Sequence, residues 1–239
     1  MENEDALRGY LRTMPPRPSE PVLLEEFLRG TEFSFDTVTR DGKHLLHSIN
    51  AYTPTPLEVM ETPWIQWTVM LPRDISGPEF AAIHDAGARA LDVLGMDTGI
   101  THMEWFRRDD GSIAISEVAA RPPGAQFTTL LSYAHDLDFY KAWVRLVGMD
   151  RFDVPERRWA TGAAFLRGQG TGRVAAIRGL DQAQAELGDL VVEAKLPQEG
   201  QPKASSYEGE GYVILRDEDT ERVRAGLERL VHLLRVELA

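Results

Sequence analysis

Residues 99–126 read GITHMEWFRRDDGSIAISEVAARPPGAQ, and an Asp-Gly pair at positions 110 and 111 divides two β-prone apolar runs. An Asp-Gly pair between such runs is a strong signal for a β-hairpin. A two-residue turn at this pair makes Asp109 the partner of Ser112. Because later residues then pair in step, Glu104 on the first strand is expected to face Glu117 on the second.

The two opposed carboxylates have two interpretations. Facing carboxylates in a sheet repel each other, and a Mg²⁺ ion, which prefers hard oxygen ligands, would turn this repulsion into a binding site. Arg121 follows four residues after Glu117 and could hold an anion beside the metal. The alternative is a solvated sheet face, or a longer turn that shifts the register and separates the pair.

Composition restricts the class of protein. The 239 residues suffice for one large domain or two small ones, and a content of 43% hydrophobic and 27% charged residues is typical of globular proteins. The net charge of −12 and the pI near 5.0 argue against a nucleic-acid partner. The absence of cysteine excludes disulfides, thiolate metal sites and a cysteine nucleophile.

Hydropathy excludes a membrane span. No apolar run approaches the length of about 20 residues that a span requires. The N-terminal segment MENEDALRGYLRTM is acidic and lacks the apolar core of a signal peptide. We therefore expect a cytoplasmic protein with no membrane partner.

The pattern along the chain predicts an α+β fold with antiparallel sheets and a boundary near residue 150. A short helix and a Pro-rich linker occupy residues 1–21, and residues 22–150 combine strands with helices. Residues 151–239 are β-rich and end in a helix after Asp219, its expected N-cap. The predicted elements include a buried strand at 22–28, a hairpin turn at Asp41-Gly42 and a loop at 52–63. A core-facing helix is expected to carry Leu137, Tyr140, Val144 and Val147. Residues 198–211 are expected to be a loop or lid, and Trp64 and Trp67 to serve packing or a pocket wall.

Two stretches resemble the large C-terminal lobe of ATP-grasp enzymes: VLLEEFLRGTEFSFDTVTRDGK at 22–43 and HMEWFRRDDGSIAISEVAARPPG at 102–124. Enzymes of this superfamily activate a carboxylate with ATP as an acylphosphate and pass it to a nucleophile, usually an amine. The C-terminal part, with GEGYVILR at 209–216, is similar to the closing subdomain of carboxylate–amine ligases. The resemblance therefore implies an α+β fold, with an antiparallel ATP-grasp large lobe followed by a small β-rich subdomain and a final helix.

The resemblance also implies a role for each matching position. Glu104 and Glu117 correspond to the two acidic metal ligands, for Mg²⁺ or alternatively Mn²⁺, and Arg121 to the arginine that contacts the transferred phosphate. The nucleotide, ATP, is expected at the segment Glu25, Glu26, Phe27 and Leu28, whose backbone matches the adenine-binding hinge. Glu32 corresponds to the acid on the ribose hydroxyls.

The chain departs from the family pattern in two places. An asparagine that usually completes the metal site is replaced by Ala119. The lysine-bearing lobe that clamps the nucleotide is expected upstream, yet no lysine occurs before Lys43 and no Gly-rich phosphate loop is present.

Two functions follow as expectations. The first is the C-terminal half of a ligase that joins a small-molecule carboxylate to an amine, with the missing half supplied in cis or in trans. The second is a non-catalytic binding module that keeps the fold. Whether the chain forms a homodimer stays open.

Overall fold

Ten strands and seven α-helices form within residues 3–239, the part of the chain that the computed structural model describes. The helices are α1 Glu4–Thr13, α2 Pro56–Glu61, α3 Ala81–Val93, α4 Phe127–His135, α5 Phe139–Met149, α6 Leu180–Leu187 and α7 Thr220–Leu233, and a 3₁₀ turn at Pro78–Phe80 precedes α3. The strands are β1 Thr31–Arg40, β2 Lys43–Thr53, β3 Trp67–Leu71, β4 Gly99–Arg107, β5 Ile113–Ala119, β6 Ala160–Leu166, β7 Val174–Arg178, β8 Val191–Lys195, β9 Gly211–Asp217 and β10 Arg235–Leu238.

Eight of these strands form one antiparallel sheet in the order β5-β4-β1-β2-β3-β6-β9-β8, and β10 pairs with β7 in a second, two-stranded sheet. The predicted α+β class with a large antiparallel sheet is therefore confirmed. The sheet runs across residue 150, because β3 pairs with β6. The division at that residue stays a prediction, and two residues of its first segment, 1–21, lie outside the described part.

The hairpin of β4 and β5 brings Glu104 opposite Glu117, as predicted, but by a different route. The turn is one residue longer than expected: the Arg108 N–H donates to the Ser112 carbonyl (2.9 Å), and Gly111 adopts a positive φ of 81°. This longer loop alone would shift the pairing by one residue. A β-bulge at Ser116, whose hydroxyl donates to the Glu104 carbonyl (3.1 Å), shifts it back.

The hairpin of β1 and β2 has the predicted two-residue turn, in which Asp41 and Gly42 have positive φ and Arg40 pairs with Lys43. A bulge then leaves Leu45 without a partner and shifts the register between Val38 and Thr39. The same bulge reverses which face of the sheet the rest of β2 presents.

The two faces of β1 and β4 have different neighbours. On one face, Phe35 and Met103 pack with Ile83 and Leu91 of α3 in an apolar core. The opposite face is polar at one end and apolar at the other, where Val38 belongs to the core built by α4 and α5. A third core lies between α6, α7 and the strands β6 and β9. The polar part of the second face is therefore left open beside the beginning of α4.

Three predicted elements were wrong. Residues 22–28 form no strand, and all but the partly buried Leu28 are exposed (Leu23 79%, Phe27 66%), because β1 is already paired on both sides by β2 and β4. The expected loop at 52–63 contains α2, which begins at Pro56 after the Thr55 cap. In α5 the apolar stripe of Tyr140, Val144 and Val147 faces outward, and the buried residues are Phe139, Ala142 and Leu146.

The helices show no sign of a membrane segment. Among the residues from 3 to 239, none of the helices is both long enough and apolar enough to cross a bilayer.

Candidate active site

The two predicted metal ligands lie side by side on the polar face of the sheet. Glu104 is half-buried on β4, Glu117 is exposed on β5, and their Cα positions are paired. Arg121, just beyond β5, borders the same cavity as Glu104. Residues 3–239 contain no group of three or more His, Asp or Glu side chains placed to share a metal ion.

His102 connects Glu104 to a buried polar network. One ring nitrogen, Nδ1, lies 2.6 Å from Asp36 Oδ1, and the other, Nε2, lies 3.6 Å from Glu104 Oε1. Asn50 Nδ2 donates to the second Asp36 oxygen (2.6 Å) and to Ser34 Oγ (2.7 Å). His102 and Glu104, two residues apart on β4, therefore share one face of the sheet.

The network sets the charges of its members. Burial lowers the pKa of His102, but its hydrogen bond to Asp36, its close contact with Glu104 and the charges of both carboxylates outweigh burial and raise the pKa to about 9. The same contact with His102 holds the pKa of Glu104 below its usual value, and the charge of Arg121 acts in the same direction. Glu104 is therefore a carboxylate at neutral pH and is available as an oxygen ligand.

A slot on the side of Glu104 away from His102 contains most of the predicted nucleotide-binding residues. Its volume is about 590 Å³, and it is lined by Glu26, Phe27, Leu28 and Glu32 together with Leu57 of α2 and Phe106 of β4. Glu25 does not line this slot; it lines a separate concavity beside Arg108. The Arg108 guanidinium pairs with Glu26 (3.0 Å), which ties the irregular segment to the hairpin.

Glu32 is the buried acid of this slot. Glu104 is paired with Ser34 of β1, and Glu32 lies two residues before Ser34 on the same strand. The side chains of Glu32 and Glu104 therefore lie on the same face of the sheet. Burial, and then the negative charge of Glu104, raise the pKa of Glu32 to about 7. An acid near half-ionisation thus lies between the slot and the predicted metal ligands.

A second cavity, of about 380 Å³, opens on the His102 side of Glu104. It is bordered by polar groups at one end and by apolar and aromatic side chains elsewhere, namely Tyr52, Pro56, Val59, Met60, Trp67, His102, Glu104, Arg121, Gly124, Ala125, Phe127 and Tyr207. Trp67, predicted as packing or a pocket wall, is part of this wall, whereas Trp64 is exposed and outside it.

Sequence reasoning missed Ser34, Asp36 and Asn50. The alternation of Glu32, Ser34 and Asp36 on β1 was a usable signal, since every second residue of a strand shares a face. Asn50 could not be assigned to this face from the sequence, because the bulge at Leu45 decides its side.

Comparison with known proteins gives the family of the chain. The sequence model of the ATP-grasp domain matches residues 9–130, just over half of the chain. A search of curated protein sequences found no match.

Several solved structures have the same fold. An L-amino acid ligase from Bacillus licheniformis has a TM-score of 0.75 at 18% identity, covering 100% of this chain and 60% of that one. Phosphoribosylglycinamide synthetase from Anaerococcus prevotii has a TM-score of 0.68 at 16% identity, covering 100% of this chain and 61% of that one. N5-carboxyaminoimidazole ribonucleotide synthetase from Thermotoga maritima has a TM-score of 0.62 at 20% identity, covering 90% of this chain and 55% of that one. This chain therefore spans less than two thirds of each of these relatives, and at these identities the likeness concerns the fold.

Proposed function

Because the chain belongs to the ATP-grasp domain family, we propose that it carries the nucleotide and metal site of an ATP-dependent ligase that joins a carboxylate to an amine. The observation that carries the proposal is the pairing of Glu104 with Glu117 between a nucleotide-sized slot and a second cavity. On this proposal the slot takes the nucleotide, the acidic pair binds the metal, and the second cavity takes the carboxylate substrate.

The acidic pair fits Mg²⁺. In phosphoryl-transfer sites Mg²⁺ is bound through one or two carboxylates, and phosphates and waters supply its other ligands. Two protein carboxylates are thus enough, although the third position usually filled by asparagine is Ala119. The bound metal would neutralise charge on the phosphates during transfer.

The chain's own residues have definite parts in the proposed reaction. A carboxylate oxygen of the substrate attacks the terminal phosphorus of ATP, the bond to the bridging oxygen breaks, and ADP leaves. The Arg121 guanidinium stabilises the transferred phosphoryl group. The amine then attacks the acyl carbon, phosphate leaves, and the amine nitrogen loses a proton. His102 holds Glu104 in place throughout.

The slot for the nucleotide is formed on one side only. Phe27, which lines it, is largely exposed to solvent. We propose that a further lobe, in cis or in trans, covers the nucleotide and supplies cationic groups for its phosphates. On this proposal the chain by itself binds ATP weakly and does not turn over.

Titration calorimetry with ADP, with and without Mg²⁺, tests the site. We expect ADP binding that Mg²⁺ strengthens, and we expect Glu117→Ala to remove this strengthening while the fold is kept. Asp109→Ala is the matched control, because it removes an exposed carboxylate from the tip of the same hairpin. Equal effects of the two substitutions would contradict the metal assignment.

A turnover assay tests the need for a further lobe. The chain is incubated with ATP, Mg²⁺ and a panel of amino acids, and ADP release is measured. Turnover at an ordinary enzyme rate of about 10 s⁻¹ by this chain alone would overturn that part of the proposal.

The alternative, a non-catalytic module, is favoured by Ala119, which offers no ligand to a metal. It predicts no nucleotide binding under any of these conditions, including the presence of a complementary lobe.

A further inference from the structure

The cavity beside Arg121 has a polar end and an apolar body. His102 contacts Glu104, and the charge of Arg121 acts on Glu104, so these three groups form the charged part of the lining. The rest of the wall is aromatic or aliphatic apart from the hydroxyl groups of Tyr52 and Tyr207. The volume of about 380 Å³ lies within the range of small-molecule sites, which are apolar with a few placed polar groups.

The aromatic side of this wall is held in place. Trp67 is buried and stacks on Phe165 with a centroid distance of 4.2 Å and an interplanar angle of 15°. Its only polar hydrogen is already used, since Nε1 donates to the Tyr207 carbonyl (2.8 Å). Tyr52 and Phe127 meet edge to face at 5.9 Å on the adjoining wall. This side therefore offers shape and apolar contact without a free hydrogen-bond donor from Trp67.

The opposite side is formed by α2, and a buried arginine fixes its position. The Arg167 guanidinium donates to the carbonyls of Val59 (2.8 Å) and Thr62 (3.1 Å) at the C-terminal end of that helix. Val59 and Met60 of the same helix border the cavity. The aliphatic wall is thus anchored to the body of the protein.

We propose that this cavity binds the side chain of the carboxylate substrate, and that this side chain is aromatic or branched aliphatic. This inference rests on the proposed function, which places the substrate carboxylate at the Arg121 end. A charged or strongly polar side chain would lose its water against Trp67, Val59 and Phe127, none of which offers it a free hydrogen-bonding group. An apolar side chain instead gains free energy with each CH₂ group that it buries.

A panel of three acids tests the chemical class: 3-phenylpropanoate, propanoate and succinate. Binding to the full chain is measured by ligand-observed NMR in the presence of MgADP. We expect 3-phenylpropanoate to bind at least about tenfold more tightly than propanoate, because the phenyl ring is buried, and succinate to bind weakest. Equal or tighter binding of propanoate or succinate, or no binding of any acid, would overturn the proposal.

A charge placed at the rim tests the location. Met60→Glu adds a negative charge at the cavity, and Met149→Glu adds the same charge at an equally exposed helical methionine (67% for both) outside it. Like-charge repulsion near the surface should weaken 3-phenylpropanoate binding about fivefold in the first variant only. Identical affinities of the two variants would refute the assignment to this cavity.

A separate measurement, of MgADP binding, distinguishes this proposal from the proposed function. If 3-phenylpropanoate binds as described but MgADP does not bind, the apolar pocket is supported and the nucleotide-dependent ligase is overturned.

Discussion

Replacing Glu32 by glutamine should stabilise the protein relative to the wild type, and this gain in stability should be larger near pH ~8 than near pH ~6. The folded protein buries the Glu32 carboxyl near the charge of Glu104, so its pKa is raised from 4.5 to about 7. Between these two values the unfolded chain is ionised while the folded protein keeps its proton. The folded state therefore binds more protons, and stability falls as the pH rises through this window.

The pKa difference sets the magnitude. A shift from 4.5 to about 7 corresponds to a full penalty of about 3 kcal/mol above the folded pKa. Because the penalty grows gradually, it is about 2 kcal/mol near pH ~6 and reaches nearly the full value of about 3 kcal/mol near pH ~8. The stability of Glu32→Gln minus that of the wild type should thus increase by about 1 kcal/mol between these two pH values.

Urea denaturation followed by circular dichroism measures this difference. The matched control is Glu25→Gln, since Glu25 is an exposed carboxylate of the same region. Its stability difference from the wild type should be the same at both pH values. A difference for Glu32→Gln that also stays constant would refute the idea that burial and Glu104 keep this acid protonated.

Three further predictions concern the network and the cores. Asp36→Asn should lower the pKa of His102 from about 9, as followed by NMR of the imidazole protons; an unchanged pKa would contradict the ion pair. Burial, and then the charge of His84, lower the pKa of His47 to about 4, so the stability of the folded protein should fall as the pH drops below about 6.5. His47→Gln should make this loss of stability with falling pH less steep in acid unfolding curves, and an equally steep loss would contradict the prediction. Gly87→Ala should destabilise by about 1–3 kcal/mol, because its Cβ would lie 2.6 Å from the Phe35 ring; a urea midpoint equal to the wild type would show that the ring moves freely.

Much of the local structure could be predicted because short-range chemistry decides it. The turn at Asp41-Gly42 needs two positive φ angles, which aspartate and glycine tolerate. The side chain of Asp219 accepts from the backbone N–H groups of Glu221 and Arg222, so the predicted cap of α7 is confirmed. Such contacts span only a few residues and are therefore visible in the sequence.

Burial could not be predicted where it depends on distant partners. Residues 22–28 have the apolar composition of a strand, but no strand edge is free beside β1. The stripe of Tyr140, Val144 and Val147 has helical spacing, yet the neighbouring elements contact the other side of α5. In both cases the local pattern is compatible with burial, and the assembly of the sheet decides against it.

The sequence alone determined that two acids, Glu104 and Glu117, lie on neighbouring strands of one hairpin, because the Asp-Gly turn and strand alternation require it. Only the tertiary structure decided the exact pairing. The turn is longer than expected, and the bulge at Ser116 compensates for it.

The bulge at Leu45 likewise decides that Asn50 joins Asp36 and His102 on the polar face. Each bulge moves one residue out of register and so changes the face of every residue beyond it. Neither Leu45 nor Ser116 has a backbone preference that marks a bulge, because twist and packing across the whole sheet place the extra residue.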